Sequence, residues 1–193
     1  MNAQGNNEVY WQGRKLFEAG DYAAASALLE PAALSGNADA AVLLGHNKLW
    51  RDGTQKNRDA LAAKKWFLVA VELGNAEGQF QMGLLEDKEG NVREAFQLFE
   101  AASDQGHIPA AQHMGYLAIH EKGLTREEID LGYQRTKWAA DCSHPFAIRD
   151  LSLMLFTGKG VKRDVFKAIR FRWKSLVALI RLVRKDPYHE LLR

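Results

Sequence analysis

Histidines are the side chains of this sequence best suited to metal binding or proton transfer. His113 and His120 lie seven residues apart, on one face of a predicted helix with Tyr116 between them, and His107 and His144 occupy two predicted turns. A zinc site needs three or four ligands that converge from different directions. No C-x-x-C or H-E-x-x-H motif accompanies these histidines. We therefore predict no metal site and interpret the histidines as residues of helix turns.

Acidic residues and a thiol could supply acid, base or nucleophile. Glu127, Glu128 and Asp130 are clustered, but negative charge at this position favours the start of a helix. Cys142 is the single cysteine, so no internal disulfide is possible, and we interpret it as a small apolar side chain packed in a helix. No nucleophile elbow, phosphate-binding loop or dinucleotide fingerprint is present. The sequence predicts no enzyme activity, no cofactor and no small-molecule substrate.

Composition indicates a soluble globular protein: 47% of the 193 residues are apolar and 26% are charged. The opening "MNAQGNNEVYWQG" has neither a basic region nor an apolar core, so we see no leader peptide, although a removed leader stays open. The apolar run "SLVALIRLV" at 175–183 contains an arginine and is too short to cross a bilayer. We expect a cytoplasmic protein, with a peripheral membrane location as the alternative.

A repeated phrase sets the architecture. "GNADAAVLLG", "GNAEGQFQMG" and "GHIPAAQHMG" begin at residues 36, 74 and 106, and the divergent "SHPFAIRDLS" begins at 143. Such spacings are typical of helical solenoids. Small residues recur four and nine places after each start, and four places before it: Ala40, Gly78, Ala110 and Ala147; Gly45, Gly83, Gly115 and Ser152; Ala32, Ala70, Ala102 and Ala139. Small residues in register allow helix backbones to approach closely.

The phrase predicts pairs of antiparallel helices joined at a glycine, which adopts a left-handed conformation at the helix end. We expect helices near 7–19, 21–34, 38–51, 58–73, 76–88, 91–105, 109–122, 126–142, 145–157 and 164–185. Large residues between the small ones fill the interface, but at Arg135 and Thr136 the pattern fails, and Trp138 is displaced by three places. The fold class is therefore all-α: a right-handed α/α solenoid of about four to five repeats with a long C-terminal capping helix.

A family resemblance supports this interpretation. "GKGVKRDVFKA" at 158–168 resembles the G-x-G-V-x-x-D-x-x-K-A phrase of Sel-one-like repeats, relatives of the tetratricopeptide repeat, and "AVELGNAEGQFQMG" is similar to the other half. In this phrase we expect Asp164 to cap the following helix. The resemblance implies one solenoid domain over 1–193, with repeats near 20–53, 58–90, 91–123 and 126–160 and a capping helix at 163–186. It also implies a scaffold or adaptor for protein complexes.

Stacked helix pairs leave a concave wall lined by the first helix of each pair. Residues there that miss the packing register are candidates for binding a protein or peptide: Lys64, Lys65, Leu68, Gln97, Glu100, Gln134, Lys137 and Trp138. Trp138 is the strongest candidate, since tryptophan is enriched at interface hot spots. Packing against the divergent fourth repeat is its alternative role.

The last predicted helix is amphipathic. Its apolar stripe is Val165, Ile169, Trp173, Leu176, Ile180 and Val183, and its basic face is Arg163, Lys167, Arg170, Lys174, Arg181 and Lys185. Three interpretations remain open: a cap whose stripe packs on the last repeat, a contact with an acidic protein, or a contact with an anionic membrane or nucleic acid. Nucleic acid is disfavoured because exposed aromatics do not interleave with the cations.

The main functional prediction is a non-catalytic protein–protein interaction scaffold or adaptor. One alternative is a peripheral membrane or envelope-assembly factor that uses the basic helix. Another is a bacterial toxin-neutralising, immunity-type protein, which only the family resemblance implies. The sequence names no partner.

Overall fold

The computed structural model describes residues 3–50, 59–120 and 123–185. All regular structure within these residues is helical, which confirms the all-α prediction. In chain order the helices are α1 (Ala3–Glu18), α2 (Tyr22–Leu34), α3 (Ala38–Trp50), α4 (Ala60–Glu72), α5 (Ala76–Glu89), α6 (Val92–Asp104), α7 (Ile108–His120), α8 (Arg126–Asp141), α9 (Pro145–Thr157) and α10 (Val165–Lys185). The predicted positions agree, except that α1 begins earlier than expected. Predicted helix ends at 51, 58 and 122, and the predicted end of the capping helix at 186, lie outside the described residues.

The chain divides into two compact units, residues 1–89 and 90–193. Unit 1 contains α1 to α5 and unit 2 contains α6 to α10, and within each unit every helix packs on the next one along the chain. This sequential packing is what helix pairs joined by short turns produce. The single-domain interpretation of 1–193 stays a prediction.

Each unit has a core rich in small residues. In unit 1, Leu29 and Leu44 are fully buried beside Ala40 and Ala70. In unit 2, Leu151 lies in a cluster of buried alanines with Ala168 of α10. Alanine contributes little apolar area, so these cores depend on close backbone approach and on the few large side chains between the alanines.

The turns have the predicted left-handed residue. Gly36, Gly74 and Gly106 have φ values of 96°, 73° and 86°. Ser143 takes the equivalent place with φ 66°, the one positive φ outside glycine in the part of the chain that the structure describes. The left-handed conformation costs a serine about 1–2 kcal/mol, so the repeat geometry overrides the local preference at this turn.

The residue after each turn caps the next helix. Asn37, Asn75, His107 and His144 each accept a hydrogen bond from the backbone N–H three residues later, at 3.0, 2.9, 3.1 and 3.3 Å. Imidazole Nδ1 thus replaces the amide oxygen of asparagine at two of the four turns. An N-cap acceptor satisfies one of the free N–H groups at a helix start. The interpretation of these two histidines as turn residues is confirmed.

Close helix approach occurs where small residues face each other. A Cβ added to Gly78 would overlap the Cβ of Ala70, and one added to Gly115 would overlap the hydroxyl of Thr136. Thr136 is fully buried and donates to the carbonyl of Gly132 at 2.7 Å. Thr136 therefore occupies the buried position that large residues occupy in the other repeats. The prediction that the packing pattern breaks at this position is wrong. A smaller side chain occupies the same place.

Candidate functional site

The polar side chains that could do chemistry are engaged in structural contacts in unit 2. Asp150 is buried, and it accepts from Gln112 Nε2 at 2.5 Å and from Arg149 Nε at 2.8 Å. Burial lowers the pKa of His113 to about 4, despite the opposing effect of the Asp150 charge, and burial also lowers the pKa of His144. The two histidines are therefore neutral near pH 7, which suits the cap that His144 makes.

The predicted acidic helix start is present. Thr125 Oγ1 accepts from the Glu128 N–H at 3.2 Å, and the Glu128 carboxylate accepts from the Thr125 N–H at 2.6 Å. This reciprocal capping box satisfies two backbone donors. Arg93 lies 3.7 Å from the same carboxylate. The carboxylate of Glu128 therefore holds a helix end.

Cys142 follows α8 and is exposed. The prediction of a packed thiol is wrong because the helix ends one residue earlier, so Cys142 lies in the turn and not on the helix face that packs. Among the described residues, no three His, Cys, Asp or Glu side chains form a group that could hold a metal ion. The absence of a metal stays a prediction for the whole chain.

The predicted binding residues of unit 1 all lie on α4. Lys64 Nζ lies 2.8 Å from carboxylate oxygens of both Glu86 and Glu89 on α5, and these hydrogen bonds raise its pKa. Lys65 is exposed and Leu68 is 46% exposed. Lys64 therefore links two helices within the unit, which leaves Lys65 and Leu68 as the accessible pair.

The remaining predicted binding residues lie in unit 2. On α6, Gln97 is exposed and Glu100 is half-buried; on α8, Gln134, Lys137 and Trp138 are exposed. Gln134 lines a groove between α8 and the α9–α10 turn, and Lys137 lines an adjoining groove that also includes residues of α9 and α10. Trp138, at 37% exposure, lines neither of them. A role for these residues in partner binding stays a prediction.

Helix α10 packs on α9 through small residues. Ala168 and Ser175 are buried, Ser152 Oγ donates to the Ala168 carbonyl at 2.9 Å, and Ser175 Oγ donates to the Pro145 carbonyl at 3.0 Å. These two bonds hold α10 along α9, with the helix backbones close together. The same use of small residues is seen at Gly78 and at Gly115, so α10 follows the packing rule of the other helices.

The apolar side of α10 is exposed. Seven large apolar residues are between 42% and 88% exposed, namely Phe166, Ile169, Trp173, Leu176, Val177, Ile180 and Val183; Val165 is half-buried. The capping interpretation expected the apolar stripe to pack on the last repeat, and this part of it is wrong. The small face of the helix docks instead, and the exposed stripe lies beside this contact, with Trp173 and Val177 near Pro145 and Ile148 of α9.

The basic face of α10 is exposed in the described residues, and its members have different contacts. Arg163 donates to the Phe156 carbonyl at 3.0 Å, and Lys167 lies 3.4 Å from Asp164, which caps the helix as predicted. The side chain of Lys185 lies outside the described residues. Arg170, Lys174 and Arg181 line a groove of about 830 Å³, which we call the α9–α10 groove; its other lining residues are Ser143, Pro145, Ile148, Trp173, Val177 and Ala178.

A second groove lies on the other side of α10. It has a volume of about 560 Å³ and brings Tyr116 and His120 of α7 close to Phe156 and to Ile169 and Arg172 of α10. Ile169 therefore connects this groove to the exposed apolar stripe. None of the helices in the described parts of the chain has the length and hydrophobicity required to cross a bilayer.

A model of the Sel1 repeat matches residues 38–75, 76–107 and 145–171, which together make up just over half of the chain. The chain belongs to the Sel1 repeat family. This confirms the resemblance found in the sequence, and proteins of this family are generally protein–protein interaction modules and typically non-catalytic scaffolds. A comparison with curated proteins gave no match.

Two solved Sel1-type structures are similar to this one. The protective antigen c5321 of uropathogenic Escherichia coli, which displays an SLR fold, is 27% identical with a TM-score of 0.68, over 78% of this chain and 32% of that chain. A Sel1 repeat protein from Oxalobacter formigenes is 29% identical with a TM-score of 0.69, over 86% of this chain and 69% of that chain. The chain thus spans about a third of the length of the E. coli antigen.

The Sel1 match and the α9–α10 groove overlap only in part. The last matched segment, 145–171, contains Pro145, Ile148 and Arg170, whereas Trp173 and Arg181 lie beyond it in the second half of α10. Sequence reasoning found the residues of α10 but missed their neighbours on α9, because nothing in the periodicity shows which face of α10 docks.

Proposed function

We propose that this Sel1 repeat protein is a non-catalytic scaffold that binds a partner protein through unit 2. The observation that carries the proposal is the exposed apolar side of α10. A contiguous exposed apolar surface marks an interaction site. The general role of the family in protein interaction supports the same conclusion.

The contacts of the polar residues support a role without catalysis. Glu128 and His144 hold helix ends, and Asp150 is paired inside the unit. A catalytic site needs an acid, a base or a nucleophile that is free to reach a substrate. We propose the accessible residues of α4 and α8, above all Lys65 and Trp138, as secondary contacts with the partner.

A peripheral membrane role is the second candidate function, because the apolar side of α10 is bordered by cations. Amphipathic basic helices of this kind also bind anionic lipid surfaces. We propose a cytoplasmic location for either role. The exposed thiol of Cys142 is compatible with a reducing compartment.

The experiment uses the full chain with an affinity tag, expressed at native level in its own cells. Cells are treated with a chemical cross-linker, and the purified complexes are analysed by mass spectrometry. We expect one protein recovered in stoichiometric amount, with most cross-links within residues 90–193 and a smaller number at the secondary contact near Lys65. Recovery of lipid alone, with flotation on anionic vesicles, would favour the membrane role; the absence of any stoichiometric protein would reject the scaffold.

A further inference from the structure

We propose that the α9–α10 groove binds an acidic amphipathic helix of a partner protein. This inference rests on the proposed scaffold function and specifies its site and the chemistry of its partner.

The floor of the groove is apolar. Trp173 is 65% exposed and Val177 is 42% exposed, and both lie beside Ile148, Pro145 and Ala178 in a space of about 830 Å³. Large aromatic side chains at the centre of a groove are the usual anchors of a protein interface. An amphipathic helix inserts its apolar face into a groove of this kind.

Cations border this floor. Arg170, Lys174 and Arg181 line the groove together, and Arg181 lies eleven positions after Arg170, about 16 Å along the helix. None of the three is paired with a carboxylate in the described part of the chain, and Lys174 Nζ lies 5.2 Å from the centroid of the Phe171 ring. Carboxylates spaced three or four residues apart on a partner helix would face this row.

The charge of α10 argues against a second copy of the chain. The helix contains seven basic residues and no acidic one: Lys167, Arg170, Arg172, Lys174, Arg181, Arg184 and Lys185. Pairing two copies of α10 along this face would bring like charges together, which suppresses association. A partner with acidic residues has the complementary charge.

The shape of the surface argues against a bilayer. The groove lies between α10 and the beginning of α9, and Ser143, Pro145 and Trp173 are among the residues that line it. A flat lipid surface would contact protruding residues such as Phe166, which is 88% exposed, and would leave the groove unfilled. Side chains that project from a helix have the dimensions to fill it.

The binding experiment uses the single cysteine as a reporter. Cys142 is exposed and directly precedes Ser143, which lines the groove, so an environment-sensitive fluorophore on Cys142 reports occupancy. The probe is a synthetic helical peptide of about 18 residues, roughly 27 Å long, with leucines on one face and glutamates beside them. The control peptide has the same sequence with lysine in place of each glutamate. At physiological salt we expect a saturable signal with the acidic peptide and none with the control peptide.

Matched variants on one helix locate the site. We expect Trp173→Ala to weaken binding about thirtyfold and the double variant Arg170→Glu with Lys174→Glu to weaken it about tenfold or more. The controls are Phe166→Ala and Arg172→Glu, which change exposed residues of α10 that do not line the groove. Both should stay within about twofold of the unchanged chain. Helicity measured by circular dichroism verifies that each variant is folded.

Equal binding of the two peptides, or equal losses of binding in the groove and control variants, would overturn the proposal. So would a chain that binds no peptide but binds phosphatidylserine vesicles equally well with and without Trp173→Ala. Dimers that form through α10 would also overturn it. Failure of the scaffold function is distinguishable. If the native partner is still recovered by the groove variants, the groove is wrong and the scaffold stands. If no protein partner is recovered by the unchanged chain, the scaffold itself is wrong.

Discussion

Acidification should destabilise unit 2 through His113. This side chain of α7 contacts the rings of Phe99 and Tyr116, whose centroids are 5.3 and 6.3 Å from its own. Burial lowers its pKa from 6.5 to about 4. In mildly acidic solution the imidazole is therefore neutral in the folded chain, whereas it would be protonated in the unfolded chain.

The sign follows from proton linkage. Between pH 6.5 and 4 the unfolded chain binds this proton and the folded chain does not, so the free energy of unfolding falls as the pH decreases through this window. A difference of about 2.5 pKa units corresponds to a total loss of about 3 kcal/mol. About 2 kcal/mol of this loss should already be present at about pH 5, before most carboxylates titrate. Burial of His144 acts in the same direction.

The assay is urea unfolding at a series of pH values from about 7.5 to 5, followed by circular dichroism. The variant His113→Gln should lose about 2 kcal/mol less than the unchanged chain over this range. The control His120→Gln removes an exposed histidine of the same helix and should keep the full dependence. If His113→Gln and the unchanged chain lose the same stability, the burial of His113 is not what makes the protein sensitive to acid.

Other expected outcomes test the packing, the turns and the binding surface. Gly78→Ala should lower the free energy of unfolding by about 1–3 kcal/mol, and Ala70→Gly in the same chain should recover part of it; urea midpoints that do not differ would refute the close approach. Ser143→Gly should raise the free energy of unfolding by about 1 kcal/mol, measured by thermal unfolding; a lower melting temperature would contradict the left-handed strain. Asp164→Ala should accelerate amide hydrogen exchange in the first turn of α10, whereas unchanged exchange would exclude the cap. Trp138→Ala should weaken the binding free energy of the native partner by more than about 2 kcal/mol without unfolding the chain. An unchanged affinity would show that Trp138 of α8 is not part of the interface.

The turns could be predicted from sequence because their physics is local. A left-handed residue at a helix end favours glycine whatever surrounds it, so Gly36, Gly74 and Gly106 were identifiable without coordinates. Ser143 was found through its register alone, since its residue type gives no such signal. The small residues were equally readable, because close helix approach requires them at fixed intervals.

The orientation of α10 could not be predicted in the same way. The helix has a stripe of large apolar residues and a row that includes Ala168 and Ser175, and periodicity does not show which of the two meets α9. Hydrogen bonds from Ser152 and Ser175 to carbonyls across the interface form only when the small row docks. Such contacts depend on the partner helix, which a pattern within one helix does not contain. The exposure of Cys142 depends in the same way on where α8 ends.

The packing rule of the repeat itself produces the proposed binding surface. Large side chains within each unit are buried where they meet a neighbouring helix, as Leu29 does at Gly13 and Phe67 does at Gly45. A large side chain with no helix beside it therefore stays exposed. Phe67 and Phe99 are fully buried, whereas no helix among the described residues follows α10 to cover Trp173. Leu179 stands where the repeat would place a glycine, so α10 runs for 21 residues and extends the apolar row and its cations beyond the Sel1 match. Because α10 continues past the position where the repeat would end the helix, its large apolar residues are left exposed, and a partner helix can bind to them.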